Sequence, residues 1–234
     1  MDATVQLTNW CTANPNVIGK VVDFNETTDR LYHFDFTAGN AELNSDIFAD
    51  TGKFSRWVTG KLQSNNCKYG VGGYMEHRTI YARSAHFDAG DEPRRLHLGV
   101  DIWGKAGTEI FSPLTGIVHS FNDNNNFGDY GPTIILEHNL DGLKLYTLYG
   151  HLSRKSLEGL SIGMTIHSGQ KIAILGGDTE NGNWPPHLHF QLMFSMEEKY
   201  GDYPGVCRYS EKDKYLKNIP DPQLILQFPD AVNK

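Results

Sequence analysis

From about Arg78 to Met196 the chain runs through short stretches in which apolar and polar residues alternate, separated by turns, and this pattern restricts the fold more than any other feature. A side-chain repeat of two puts neighbouring residues on opposite faces of a strand. The candidate strands are 96–102, 108–111, 115–121, 132–138, 143–150, 171–175 and 187–194, and the 24 glycines and 10 prolines spread along the chain supply turns between them. The expectation is a mainly β protein with an antiparallel β sandwich or barrel-like core and an N-terminal α/β extension.

That extension covers residues 1–77. Its first 45 or so residues mix β-like runs (VIGKVVDF, RLYHFDF) with polar breaks. From Asp50, DTGKFSRWVTGKLQ sets Phe54, Trp57, Val58 and Leu62 at helical spacing behind a capping Asp or Thr, which predicts one amphipathic helix. A Gly-rich break at GVGGY follows. Residues 78–196 are the expected core domain, and 197–234, with Pro204, Pro220, Pro222 and Pro229, a tail that wraps the surface around a helical turn.

Hydrophobic residues at 39% and charged residues at 21% are those of an ordinary packed protein. The formal net charge of −7 comes without a Lys/Arg stripe, so no nucleic-acid partner is expected. The first residues, MDATVQLTNWCTANPN, have neither a cationic start nor an apolar core, and no later run approaches the ~20 apolar residues of a membrane span. The expectation is therefore no membrane partner and a cytoplasmic location, or a secreted one if a leader has been removed. Cysteines at 11, 67 and 207 are odd in number and form no CxxC, which favours neither a disulfide framework nor a thiolate zinc knuckle.

Within the strand pattern lie polar residues of a particular kind. In RRLHLGVDIW, Leu98, Val100 and Ile102 alternate with His97, Gly99 and Asp101, and Gly99 leaves space between the histidine and the carboxylate. In PPHLHFQLMF, Leu188, Phe190, Leu192 and Phe194 point inward and His187, His189 and Gln191 outward. Two strands thus present three histidines and an aspartate. Two imidazoles and one carboxylate leave a zinc ion a fourth position for water, as in a catalytic rather than a structural site. His151 ends LKLYTLYGH on the face of Tyr149 and Thr147, and with His187 it can supply the base and oxyanion donor that amide hydrolysis needs. There is no HExxH glutamate to compete for the role. His33, His77, His86, His119, His138 and His167 read as ordinary surface or hydrogen-bonded residues.

The motifs HLGVD, YGHLS and HLHF resemble, in order, the three signatures of the lysostaphin and LytM type of metallopeptidase. The resemblance spans about half the chain. It implies a zinc metallo-endopeptidase holding one Zn2+ per chain on His97, Asp101 and His189, with His151 and His187 in the catalytic roles. It also implies a duplicated hybrid motif, a mostly antiparallel β core shared with some sugar-transport phosphocarriers, and a peptide substrate, such as a glycine- or D-alanine-containing fragment of peptidoglycan. DYGPTIILEH, NGNWPPHLHFQL and GDYPGV are similar to an intracellular branch that is sometimes fused to kinase-like and aminotransferase domains. Small soluble peptides are the expected substrates. The polar loops Asn122–Gly131 and Gly177–Pro186 suit a substrate rim, with Tyr130 and Trp184 as stacking walls and Tyr149 as a further candidate substrate residue.

Three other readings use the same residues. A non-catalytic module of this fold would tend to have lost ligands, and all five motif positions are present. Phosphoryl transfer between facing histidines, suggested by the phosphocarrier-like run GTEIFSPLTGIVHSF, has no use for an acidic ligand such as Asp101. A non-haem iron site shares the two-His, one-carboxylate set and is separated from zinc by metal analysis. Oligomeric state has no sequence signature here.

Overall fold

The alternating runs become one large sheet. In the computed structural model, which describes residues 2–84, 87–88 and 91–233, the chain order is α1 (Ala3–Ala13), β1 (Leu31–Phe34), α2 (Ser45–Phe48), α3 (Thr51–Ser64), β2 (Tyr69–Gly72), β3 (Leu96–His97), β4 (Val100–Trp103), β5 (Glu109–Phe111), β6 (Gly116–Asn124), β7 (Gly131–Leu140), β8 (Leu143–Gly150), β9 (Thr165–Ile166), β10 (Lys171–Ile174), β11 (His187–Met193), β12 (Val206–Cys207), α4 (Lys212–Leu216) and α5 (Gln223–Leu226). Eight strands form a mixed sheet in the order β1-β2-β4-β11-β8-β7-β6-β9, in which only β1 and β2 run parallel. Two ribbons, β5–β10 and β3–β12, flank it. The protein is mainly β, as expected; the strands form an open sheet order rather than a closed ring. His86 lies outside the described residues.

Local chemistry accounts for the main joints. β7 and β8 are linked by Asp141 and Gly142 alone, both at positive φ (53° and 96°), the conformation that a two-residue hairpin needs and that Asp-Gly tolerates. The indole of Trp10 donates to Asp141 Oδ2 at 2.9 Å and ties α1 to this turn. In α3 the side chain of Asp50 accepts from the Lys53 amide at 2.8 Å, a cap that contributes about 1 kcal/mol. Its buried stripe of Phe54 and Val58 packs with Phe34, Phe36 and Trp103.

Both faces of the sheet are covered. One carries Ile102, Ile134, Leu136, Leu188, Phe190 and Leu192 against the β5–β10 ribbon and α1. The other is covered by two clusters, one around Ile135, Leu148, Met193 and Tyr203, the other around the α3 aromatics. Hence His187, His189 and Gln191, expected to face outward, are buried as fully as their apolar neighbours.

Several elements depart from the sequence reading. The expected strand 96–102 is broken at Leu98 and Gly99, so Leu98 joins the cluster beneath the C-terminal tail while Ile102 enters the opposite core. GVGGY is not a break, since Tyr69–Gly72 is β2. Its glycines are needed for close approach: a Cβ on Gly70 would lie 2.1 Å from the Phe34 ring, and one on Gly72 2.6 Å from an Arg78 nitrogen. Helix α1 went unread because only Leu7 and Cys11 of its residues are buried, too few to mark a period. The tail forms β12, α4 and α5, and places residues 202–206 beside the histidines.

Candidate metal centre

β4 lies between β2 and β11, and this order assembles the centre. Asp101 is in register with His189 of β11 on one side and Gly72 of β2 on the other. His97, at the end of β3, reaches the same point. His97 Nε2, His189 Nδ1 and Asp101 Oδ1 form a triangle with edges of 3.0, 3.1 and 3.2 Å. A tetrahedral ion with bonds of about 2.0–2.1 Å needs donor separations of about 3.3 Å, so the triangle fits zinc with little adjustment.

The hydrogen bonds behind the triangle fix which atoms face inward. His97 Nδ1 donates to the carbonyl of Gly73 at 2.9 Å, leaving Nε2 a lone pair. Gln191 gives its amide nitrogen to the Pro204 carbonyl at 3.2 Å, so its oxygen faces His189 Nε2 at 3.0 Å and can only accept. With Nε2 donating to that oxygen, His189 presents the lone pair of Nδ1 to the triangle. With the carboxylate oxygen, three lone pairs converge on one point, an arrangement that is repulsive alone and is relieved by a cation.

His151 and His187 stand beside the triangle with ring centroids 4.1 Å apart. Nδ1 of His151 donates to Asn181 O, and that of His187 to Pro185 O, each at 2.8 Å. Both rings thus keep an Nε2 lone pair. His187 also stacks on Trp103, at 4.0 Å and 15°. His151 does not continue the face of Tyr149 and Thr147, because its φ of 62° follows the end of β8 and turns the ring toward the site.

None of these five side chains is in a residue more than 5% exposed, which governs their protonation. Burial, joined by the nearby Arg78 charge, lowers His97 to about 4. Burial likewise takes His187 to about 4 and His151 well below its ordinary value. All three are neutral at pH 7. Burial would raise the Asp101 carboxyl, but His97, Arg78 and His187 outweigh it and hold it well below the usual range. With His97 neutral, the permanent charge of Arg78 is what keeps Asp101 ionised near neutrality.

A cavity of about 140 Å³ opens onto Asp101, His151, His187 and His189. Tyr130 and Trp184 line it, and Tyr130 Oη lies 3.4 Å from His189 Nε2. Tyr149 does not: it is fully buried in the opposite core against Phe190, since β8 turns residues of its parity away from the site. The sequence reading missed Arg78, Tyr81 and the tail residues around Gly205, all of which line the cavity. Gly205 makes room for Tyr130, whose Oη would lie 1.8 Å from a Cβ placed there. No periodic or motif signal marks Arg78, a lone cation in a polar stretch.

The fold is mainly β, and His97, Asp101 and His189 form a buried group that could hold a metal ion. The profile of Peptidase family M23 matches residues 95–200, the segment that contains the HLGVD, YGHLS and HLHF motifs. No curated protein matches the sequence. Among solved structures, a zinc-containing peptidase from Vibrio cholerae is 28% identical over 42% of this chain and 27% of its own, with a TM-score of 0.35. The catalytic domain of lysostaphin from Staphylococcus simulans is 23% identical over 69% of this chain and 96% of its own, with a TM-score of 0.38. This chain therefore spans about a quarter of the Vibrio cholerae protein. Among the described residues no helix is long and apolar enough to cross a membrane.

Proposed function

We propose that this chain is a zinc-dependent endopeptidase, with His97, Asp101 and His189 as the metal ligands and His151 and His187 as the catalytic residues. The observation that carries the reading is the convergence of three lone pairs within 3.0–3.2 Å of one another. A zinc ion there would supply Lewis acidity toward a substrate carbonyl and acidify its water. His151 and His187, neutral and each pinned through Nδ1, hold Nε2 lone pairs at the edge of the cavity. One would take the proton from the attacking water and hand it on to the leaving amine, and the other would accept a hydrogen bond from that water through its Nε2 lone pair and so orient it.

The substrate class follows from the walls. A cavity of about 140 Å³ between Tyr81, Tyr130 and Trp184 favours peptide residues with little or no side chain next to the scissile bond. We infer a glycine- or D-alanine-containing peptide, such as a soluble fragment derived from peptidoglycan. Metal content and turnover on short glycine-rich, D-alanine-containing and ordinary peptides test this together. One zinc per chain is expected, lost in His189→Ala. His151→Ala and His187→Ala should keep the metal and lose about a hundredfold or more in kcat. Full zinc occupancy in His189→Ala would refute the ligand assignment.

A further inference from the structure

Arg78 is fully buried, and beyond its charge beside Asp101 it has no part in the chemistry above. Its Nη1 donates to Asp101 Oδ2, the oxygen outside the donor triangle, and to Tyr81 Oη at 3.3 Å. Its Nε donates to Glu76 Oε2 at 2.6 Å, and Glu76 Oε1 accepts from the Phe36 amide at 3.1 Å. The guanidinium lies 5.0 Å from the centre of the Phe36 ring. Gly72 opens the space, since a Cβ there would lie 2.6 Å from Arg78 Nη2. A residue without a side chain, an aromatic platform and a carboxylate anchor thus converge to hold one cation against the back of Asp101. Burying a guanidinium is expensive in solvation, and its pairing with two carboxylates only offsets that cost, so stability alone is a weak reason for the arrangement.

The consequence lies in how Asp101 can bind an ion. A free carboxylate offers either one oxygen or both. With Oδ2 committed to the guanidinium, only Oδ1 remains for the triangle. We propose that Arg78 is a positioning residue that restricts Asp101 to single-oxygen coordination and so keeps a coordination position open for substrate. This rests on the metal-centre reading above and adds to it the segment between β2 and β3. The same segment supplies the Gly73 carbonyl behind His97, so it backs two of the three ligands.

Affinity is a poor measure here, because the guanidinium repels a cation while it orients that cation's ligand, two effects of opposite sign. Coordination number isolates the second effect. Cobalt(II) in place of zinc, in the full chain, reports it: four-coordinate cobalt absorbs intensely in the visible, and a fifth donor weakens the bands severalfold. Intense bands are expected for the unaltered protein and for Arg78→Lys, whose ammonium still reaches Asp101. Arg78→Met should show the severalfold loss as Asp101 turns both oxygens to the ion. If Arg78→Met does not fold, Glu76→Gln is read in its place, and its bands should weaken in the same direction because the guanidinium has lost its anchor. Undiminished bands in whichever of these two variants folds would overturn the proposal and leave the metal centre standing. Failure of the unaltered protein to bind cobalt or zinc at all would overturn both.

Discussion

Gly99 is the position where the smallest change should have the largest effect on the metal. A Cβ added there would lie 2.6 Å from His189 Cε1, 2.7 Å from His189 Nε2 and 2.7 Å from the Phe190 carbonyl oxygen, whereas ordinary contacts begin at 3.4 Å. The imidazole must therefore retreat by about 0.8 Å, the difference between 3.4 and 2.6 Å. Swinging the side chain alone is not enough, because the β11 backbone is in the way as well. A ligand set tolerates displacements of only about 0.2 Å. Gly99→Ala should thus raise the zinc dissociation constant by up to about a hundredfold, the upper range for disturbing what orients a ligand. The fold should lose only about 1–3 kcal/mol, the usual cost of overpacking. Chelator competition measures the first effect and thermal unfolding of the metal-free protein the second. A folded Gly99→Ala protein with undiminished zinc affinity would show that the close approach of Gly99 to His189 does not hold in solution, and the donor triangle would have to be redrawn.

Metal at a hundredfold excess over its dissociation constant adds about 2.7 kcal/mol to folding, so a chelator should lower Tm by about 5–10 °C in the unaltered protein and have no effect in His189→Ala; an insensitive unaltered protein would contradict a metal bound to the folded state. His138, away from the centre, is hydrogen-bonded to Thr115 O at 3.0 Å and to Thr147 Oγ1 at 2.8 Å, and burial lowers it from 6.5 to about 4. Because the folded value lies below the unfolded one, its stabilising contribution is complete above pH 6.5 and is lost as the pH falls toward 4. Between pH 7.5 and 5 the loss is about 2 kcal/mol, and urea titrations of His138→Asn at the two pH values should show a pH dependence smaller by that amount; an unaltered dependence would mean that His138 is protonated in the folded protein.

Where period-two alternation ran without interruption, as in GPTIILEH or HLHFQLM, the strands could be read directly from the chain. The two strongest motifs were legible as well, although strand pairing brings only His189 to Asp101, and His97 meets them because the chain breaks at Leu98 and Gly99. What stayed hidden depended on neighbours distant in sequence. GVGG looked like a break because its glycines answer to Phe34 and Arg78, one of them 36 residues earlier. Tyr149 shares parity with His151, but a single left-handed residue after Gly150 separates their faces. Arg78 acquires its meaning only when β2 is laid beside β4. Outward-facing histidines looked exposed because alternation reveals that a strand has two faces but not that loops and a tail will cover the second.

The position of β4 between β2 and β11 also sets where this molecule can be cut. The segment that carries the family profile begins at residue 95, after β1, β2 and Arg78. Expressed from there, β4 would become an edge strand, presenting the backbone groups now paired with Gly70, Val71 and Gly72 as a template for another chain. Such a fragment would be prone to self-association through the strand that bears Asp101. A soluble minimal unit has to start upstream of Leu31, so that the parallel β1–β2 pair shields this margin.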